Sequence, residues 1–116
     1  MDNELAKQLN KLEQLIKQKY GMPDLCLVER EIKRQRDLYG DQSELSPLAY
    51  LAIITEELGE LAEAITETYL DGAHPERGGH DNMFREAIHV AATAISALGS
   101  IRSSARLAGK EISEDV

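Results

Sequence analysis

Apolar side chains recur at intervals of three and four over four long segments of this chain, and this spacing is typical of amphipathic helices. The segments are residues 3–19, 24–39, 47–70 and 81–107. Ser46 and Pro47 mark the start of the third, because serine can cap free amides and proline at the first helical position gives up an N–H that had no partner. No β-type alternation of useful length appears. The sequence therefore predicts an all-α fold of the four-helix-bundle type.

The length of the chain favours a single domain. At 116 residues it can form one hydrophobic core and is too short for two ordinary domains. Within a domain of residues 1–116 we expect an additional N-terminal helix over 1–22, a glycine-rich mobile loop over 71–80 and a frayed tail over 109–116. The fourth helix is apolar on most faces and should be surrounded by other helices. Four short helices of this kind predict a homodimer or homotetramer.

The charge and the cysteine content limit the partners and the compartment. A formal net charge of −8 argues against a general basic surface for nucleic acid, so a phosphate-bearing ligand would need metal ions as a bridge. The single cysteine, Cys26, cannot form an intrachain disulfide, and a reducing compartment is its natural setting. The amino terminus lacks the pattern of a signal peptide, and no apolar stretch approaches membrane-spanning length. We therefore expect a cytoplasmic protein with no membrane partner.

Two pairs of side chains have the spacing of metal ligands: Glu57 with Glu60, and Glu86 with His89. Residues three apart on a helix lie on neighbouring turns, with Cβ atoms about 5–6 Å apart, so both members of a pair can reach one cation. Carboxylate oxygens suit hard cations such as Mg²⁺ or Mn²⁺. Each pair is therefore a candidate half of one metal site.

The two pairs differ in how strongly the sequence supports them. Glutamates are good helix formers, and four of them fall opposite the apolar stripe of the third helix, as an ordinary solvated face would. These four are Glu56, Glu60, Glu63 and Glu67. Glu57 lies at the border of that stripe. On the fourth helix, a polar strip on an otherwise apolar surface is formed by Glu86, His89, Thr93 and Ser96. Such a strip needs a polar partner, which could be a metal-phosphate site or a subunit interface.

The third and fourth helices, with the glycine-rich loop between them, resemble the MazG-like superfamily of all-α nucleoside triphosphate pyrophosphohydrolases. The signature of that family is Glu-Glu-x-x-Glu on one helix and Glu-x-x-Asp on the next. The first half is complete at residues 56–60, whereas residues 86–89 place histidine where the family usually has aspartate. The resemblance covers about residues 28–104, and it looks like a phage- or prophage-associated branch of the family.

The resemblance implies a reaction and a role for each motif residue. The reaction would convert a nucleoside triphosphate and water to the monophosphate and pyrophosphate. Glu57, Glu60 and Glu86 would be Mg²⁺ ligands, His89 would take the fourth ligand position, and Glu56 would position or activate water. The candidates for direct phosphate contacts are Arg34 and Lys33, next to Arg30, and also Arg85 and Arg102. A histidine ligand should weaken Mg²⁺ and favour Mn²⁺ or softer ions.

Two other interpretations remain open from the sequence. A carboxylate di-iron or di-manganese bundle combines glutamates from two helices with Glu-x-x-His motifs from two more, and one chain has only a single such motif, at residues 86–89. A catalytically silent helical oligomer could instead act as an interaction module. Metal-dependent cleavage of a nucleotide separates the hydrolase from both, and iron-dependent absorbance identifies the bundle.

Overall fold

The computed structural model describes residues 3–19, 22–40, 44–70, 76 and 78–116. These residues form four helices and contain no strand. The helices are α1 (Asn3–Lys19), α2 (Met22–Tyr39), α3 (Pro47–Tyr69) and α4 (His80–Leu107). The all-α prediction is confirmed for this part of the chain. Most of the predicted loop, residues 71–75 and 77, lies outside the described residues, and the predicted tail from Gly109 has no regular structure.

Local capping fixes the end of α2 and the start of α3, and the start at Ser46 and Pro47 is the one that the sequence predicts. The Ser46 hydroxyl accepts a hydrogen bond from the backbone N–H of Ala49 at 3.1 Å, and Pro47 occupies the first turn of α3. Gly40 has a φ of +76°, and its N–H donates to the carbonyl of Arg36 at 2.8 Å, which ends α2 in the left-handed conformation that glycine adopts most easily. The helical conformation therefore ends at Gly40.

Helices α3 and α4 pack side by side and antiparallel, because hydrogen bonds join them at both ends. At one end the Tyr69 hydroxyl lies 3.1 Å from Nε2 of His80. Near the other end the Ser100 hydroxyl donates to the carbonyl of Leu45, just before α3, at 2.5 Å. Helix α2 packs against α4, and α1 packs against α2. The face of α4 that is buried carries small side chains, Ala92, Thr93, Ala97 and Ser100.

Large apolar side chains remain outside this packing. Along α1 five leucine and isoleucine side chains are each about half exposed. On α3 Leu51 is 61% exposed and Leu58 is 52% exposed, and on α4 Leu98 is 50% exposed. The radius of gyration is 18.0 Å, against about 13 Å for a compact chain of this length. A single chain therefore leaves much of its apolar surface in contact with solvent.

None of the described helices combines the length and the apolar character needed to cross a bilayer.

Candidate metal centre

The two predicted ligand pairs come together between α3 and α4. Glu57 and Glu60 project from α3, Glu86 and His89 project from α4, and one ligand atom from each residue lies within 4.8 Å of the others. The antiparallel packing of the two helices brings the pairs opposite each other. We call these four residues the acidic cluster.

The central members of the acidic cluster are partly buried. The side chains of Glu57, Glu86 and His89 are 23%, 15% and 22% exposed, whereas Glu60 lies at the exposed edge. The imidazole of His89 has its Nδ1 3.4 Å from Oε2 of Glu86 and 3.8 Å from Oε2 of Glu57. One ring nitrogen therefore faces both carboxylates.

Two oxygens in the acidic cluster lack the partners that buried polar atoms normally have. Oε2 of Glu57 and Oε2 of Glu86 are both buried and make no hydrogen bond. A buried carboxylate oxygen without a donor is destabilising, because folding removes its water without replacing it. A cation held between the helices would satisfy both atoms at once.

The electrostatics of the acidic cluster also favour a positive ligand. Burial raises the pKa of Glu57 above its usual value, and the nearby carboxylate of Glu86 raises it further, while His89 opposes the rise. The pKa of Glu60 is raised by partial burial first and then by the charges of Glu57 and Glu86. Like charges held close together bind protons more readily than isolated carboxylates do. They bind a dication more readily for the same reason.

The spacing of the four ligand atoms suits a single small dication. An octahedral ion with bonds of about 2.1 Å places neighbouring ligand atoms about 3.0 Å apart and opposite ones about 4.2 Å apart. The observed separations from His89 Nδ1 to Glu86 and Glu57 fall between these values. The widest separation in the acidic cluster is at most 4.8 Å, so inward shifts of less than about 1 Å would complete a site. The donor set of three carboxylates and one imidazole fits Mg²⁺ or Mn²⁺, with the nitrogen favouring Mn²⁺.

Two cavities flank His89. The first, of about 370 Å³, is lined by three members of the acidic cluster and by other polar side chains, which include Glu56, Tyr39 and Tyr50; the three members are Glu57, Glu60 and His89. The second, of about 690 Å³, lies along the groove between α2 and α4, where Phe84, Arg85 and Arg30 line it. Arg34 borders both cavities. A ligand bound at the acidic cluster can therefore extend in two directions.

The four predicted phosphate-binding residues occupy different places. Arg34 and Arg85 line the cavities beside the acidic cluster. Lys33 faces a separate cavity, of about 870 Å³, on another side of α2 together with Cys26. Arg102 lies thirteen residues beyond His89 on α4, about 20 Å along the helix axis, and pairs with Glu114 at 3.6 Å. Of these four residues, Arg34 and Arg85 lie near the acidic cluster, whereas Lys33 and Arg102 do not.

Glu31 on α2 contacts the acidic cluster, although the sequence interpretation gave it no role. Glu31 is only 8% exposed. Its carboxylate accepts two hydrogen bonds from Arg34, at 2.7 and 2.8 Å, and one from Gln35 at 2.9 Å. Its Oε2 lies 3.7 Å from Nε2 of His89. The hydrogen bonds from Arg34 are the main cause that lowers the pKa of Glu31. The signal in the sequence is a carboxylate one helical turn after Val28, and both residues are buried in the structure.

Comparison with protein-family models, with curated proteins and with solved structures finds no match to this chain.

Proposed function

We propose that this protein binds a divalent cation at the acidic cluster and hydrolyses a nucleoside triphosphate to the monophosphate and pyrophosphate. The observation that carries the proposal is the convergence of four ligand atoms around two buried carboxylate oxygens that have no hydrogen-bond partner. The ligand set would be Glu57, Glu60, Glu86 and His89, with Mg²⁺ or Mn²⁺ as the ion. The resemblance to MazG-like pyrophosphohydrolases supports the reaction class.

The side chains around the acidic cluster have distinct roles in this proposal. Arg34 and Arg85 hold phosphate oxygens, since guanidinium groups match the geometry of phosphate. Glu56 is exposed and lines the cavity next to the acidic cluster, where it takes a proton from the attacking water. The oxygen of that water bonds to the α-phosphorus, the bond to the bridging oxygen breaks, and pyrophosphate leaves with that oxygen. When bound, the cation supplies Lewis-acid polarisation and neutralises phosphate charge.

We also propose that the chain functions as a homodimer or homotetramer of MazG-like subunits. The support is the apolar surface that one chain leaves exposed, on α1 and on the outer faces of α3 and α4. Exposed apolar area of this extent marks an interaction surface in ordinary globular proteins. Association of identical chains would bury it symmetrically.

The experiment is a screen of ribo- and deoxyribonucleoside triphosphates with Mg²⁺ and with Mn²⁺, in which every phosphate product is identified. We expect monophosphate and pyrophosphate in equal amounts. Glu57→Gln should remove the activity, because it deletes a charged ligand at nearly constant size, and Glu29→Gln on the exposed side of α2 is the matched control. Orthophosphate and diphosphate as products would contradict the proposed reaction. Metal binding without turnover of any nucleotide would favour the silent oligomer.

A further inference from the structure

The imidazole of His89 lies between two groups of carboxylates that face its two nitrogens. Nδ1 faces Glu86 and Glu57, at 3.4 and 3.8 Å. Nε2 faces Glu31, with 3.7 Å between the nitrogen and Oε2. Only the first pair belongs to the acidic cluster. The two nitrogens therefore have different surroundings. Nδ1 points to the acidic cluster, and Nε2 points to Glu31 on α2.

Glu31 is held in place by contacts that do not involve the acidic cluster. Arg34 donates to both of its oxygens and Gln35 donates to Oε2, all from the same helix. A carboxylate has about four acceptor positions. Oε2 already accepts two hydrogen bonds and Oε1 accepts one, so the position left for a further donor is on Oε1. The side chain is 9% exposed, and water has little access to the remaining position. Nε2 of His89 is a ring nitrogen that faces this carboxylate, 3.7 Å from Oε2.

The charges on the α2 side argue against a cation beside Nε2. The guanidinium of Arg34 is bound to Glu31 and places a positive charge on this side of the ring. A dication there would be repelled by Arg34, whereas on the Nδ1 side it meets the buried oxygens of Glu57 and Glu86. The imidazole can thus coordinate through Nδ1 and donate through Nε2 without conflict.

We propose that Glu31 is a positioning residue of the metal site: its carboxylate accepts a hydrogen bond from Nε2–H of His89 and thereby directs Nδ1 of the same ring to the cation. The proposal rests on the metal site proposed above. Nε2 lies 3.7 Å from Oε2, beyond hydrogen-bond range, so the bond forms when the ring shifts towards α2 and brings Nε2 to the free acceptor position on Oε1. A carboxylate behind a ligating histidine fixes its tautomer and raises its basicity.

The first test identifies the ligating atom in the wild-type protein. Two samples are prepared with Mn²⁺, one from histidine labelled with ¹⁵N only at Nδ1 and one from histidine labelled only at Nε2. Pulsed electron paramagnetic resonance then measures the coupling of each nitrogen to the ion, which is strong only for a directly bound atom. We expect the strong coupling from Nδ1, and its loss in His89→Asp. Strong coupling from Nε2, or from neither nitrogen, overturns the proposal.

The second test is a double-mutant cycle with Mn²⁺ affinity measured by calorimetry. Glu31→Gln should weaken binding about 10–100-fold when residue 89 is histidine, as losses of such supporting carboxylates do. In the His89→Asp background there is no imidazole to orient, so Glu31→Gln should change affinity by less than about twofold. Glu29→Gln, also on α2 but exposed, is the charge-matched control and should have no effect in either background.

The possible results separate this proposal from the proposed function. Equal losses in both backgrounds would mean that Glu31 acts through general electrostatics or folding, which overturns the positioning role while the metal site stands. No loss in either background overturns it as well. If the wild type binds no Mn²⁺ at millimolar concentration, the metal site and the positioning role are both wrong. Circular dichroism of each variant checks that its helices remain folded.

Discussion

Replacing Glu57 with glutamine should stabilise the metal-free protein and at the same time remove its stabilisation by Mn²⁺. Burial and neighbouring carboxylates raise the pKa of Glu57 in the folded state above the ordinary value of 4.5. The folded protein therefore binds a proton at this position more tightly than the unfolded chain does. Above the raised pKa the side chain is ionised in both states, and the folded state carries a penalty that glutamine abolishes. The penalty disappears as the pH falls through the raised pKa towards 4.5.

The size of the effect follows from the separations in the acidic cluster. Two unit charges 4.8 Å apart, the upper limit of the separations here, repel by about 0.9 kcal/mol in water and about 3.5 kcal/mol at an effective dielectric constant of 20. Glu57 is about a quarter exposed, and His89 offsets part of the repulsion, so we expect a net gain of about 1 kcal/mol. For a chain of this size that is about 4 °C in Tm.

The assay is thermal unfolding of both proteins at one protein concentration, with a chelator and then with Mn²⁺. At one hundred times its Kd a ligand stabilises the folded state by about 2.7 kcal/mol. The wild type should then exceed Glu57→Gln by about 1.7 kcal/mol, whereas without metal the variant is the more stable. Glu29→Gln should follow the wild type in both conditions. Two results would contradict this prediction. One is that the same protein is the more stable with chelator and with Mn²⁺, and the other is that Mn²⁺ stabilises the wild type and Glu57→Gln equally.

Three further predictions concern the ligand set, the pH and the assembly. His89→Asp creates an all-oxygen site with one more negative charge, and calorimetry should find Mg²⁺ affinity increased about tenfold, or about 1.4 kcal/mol. Because the pKa values of Glu57 and Glu60 are raised, protons should displace Mn²⁺ at a higher pH than they do from ordinary carboxylates, and cation binding should release protons that calorimetry in two buffers detects. Leu98→Asp, on the exposed face of α4, should reduce the mass measured by light scattering towards 12.9 kDa, whereas an unchanged oligomer would exclude that face from the interface.

The helices could be predicted because their determinants are local. Periodic apolar residues, the Ser46 cap and Gly40 act within a few residues, and these elements form where the sequence indicates. The largest difference is the start of α2, at Met22 instead of near Asp24. Pro23 signals the end of α1, yet proline is also tolerated in the first turn of a helix, where its missing N–H has no partner to lose. Pro23 therefore both follows the end of α1 and lies in the first turn of α2.

The packing of the helices against one another is harder to predict from the sequence than the helices themselves. The apolar stripe of α3 predicts a face but not its partner, and Leu51 and Leu58 on that stripe are more than half exposed. The buried residues of α3 and α4 include small ones, Ala64, Ala92 and Ala97, which permit close approach of the helices. Glu67 was expected on a solvated face and is buried, so that expectation was wrong. Glu31 reaches the acidic cluster only through the packing of α2 against α4, which no local pattern specifies.

One chain buries carboxylate oxygens and exposes many large apolar side chains, which an ordinary globular protein avoids. Carboxylates with buried oxygens lie between α3 and α4, while large apolar side chains line their outer faces. Each half of this arrangement is destabilising alone, because desolvated charge and hydrated apolar surface both raise the free energy of the folded state. A cation would relieve the first and partner chains would relieve the second. Since the acidic cluster lies where α3 and α4 meet and the apolar surface faces outward, metal binding and self-association can contribute to stability independently.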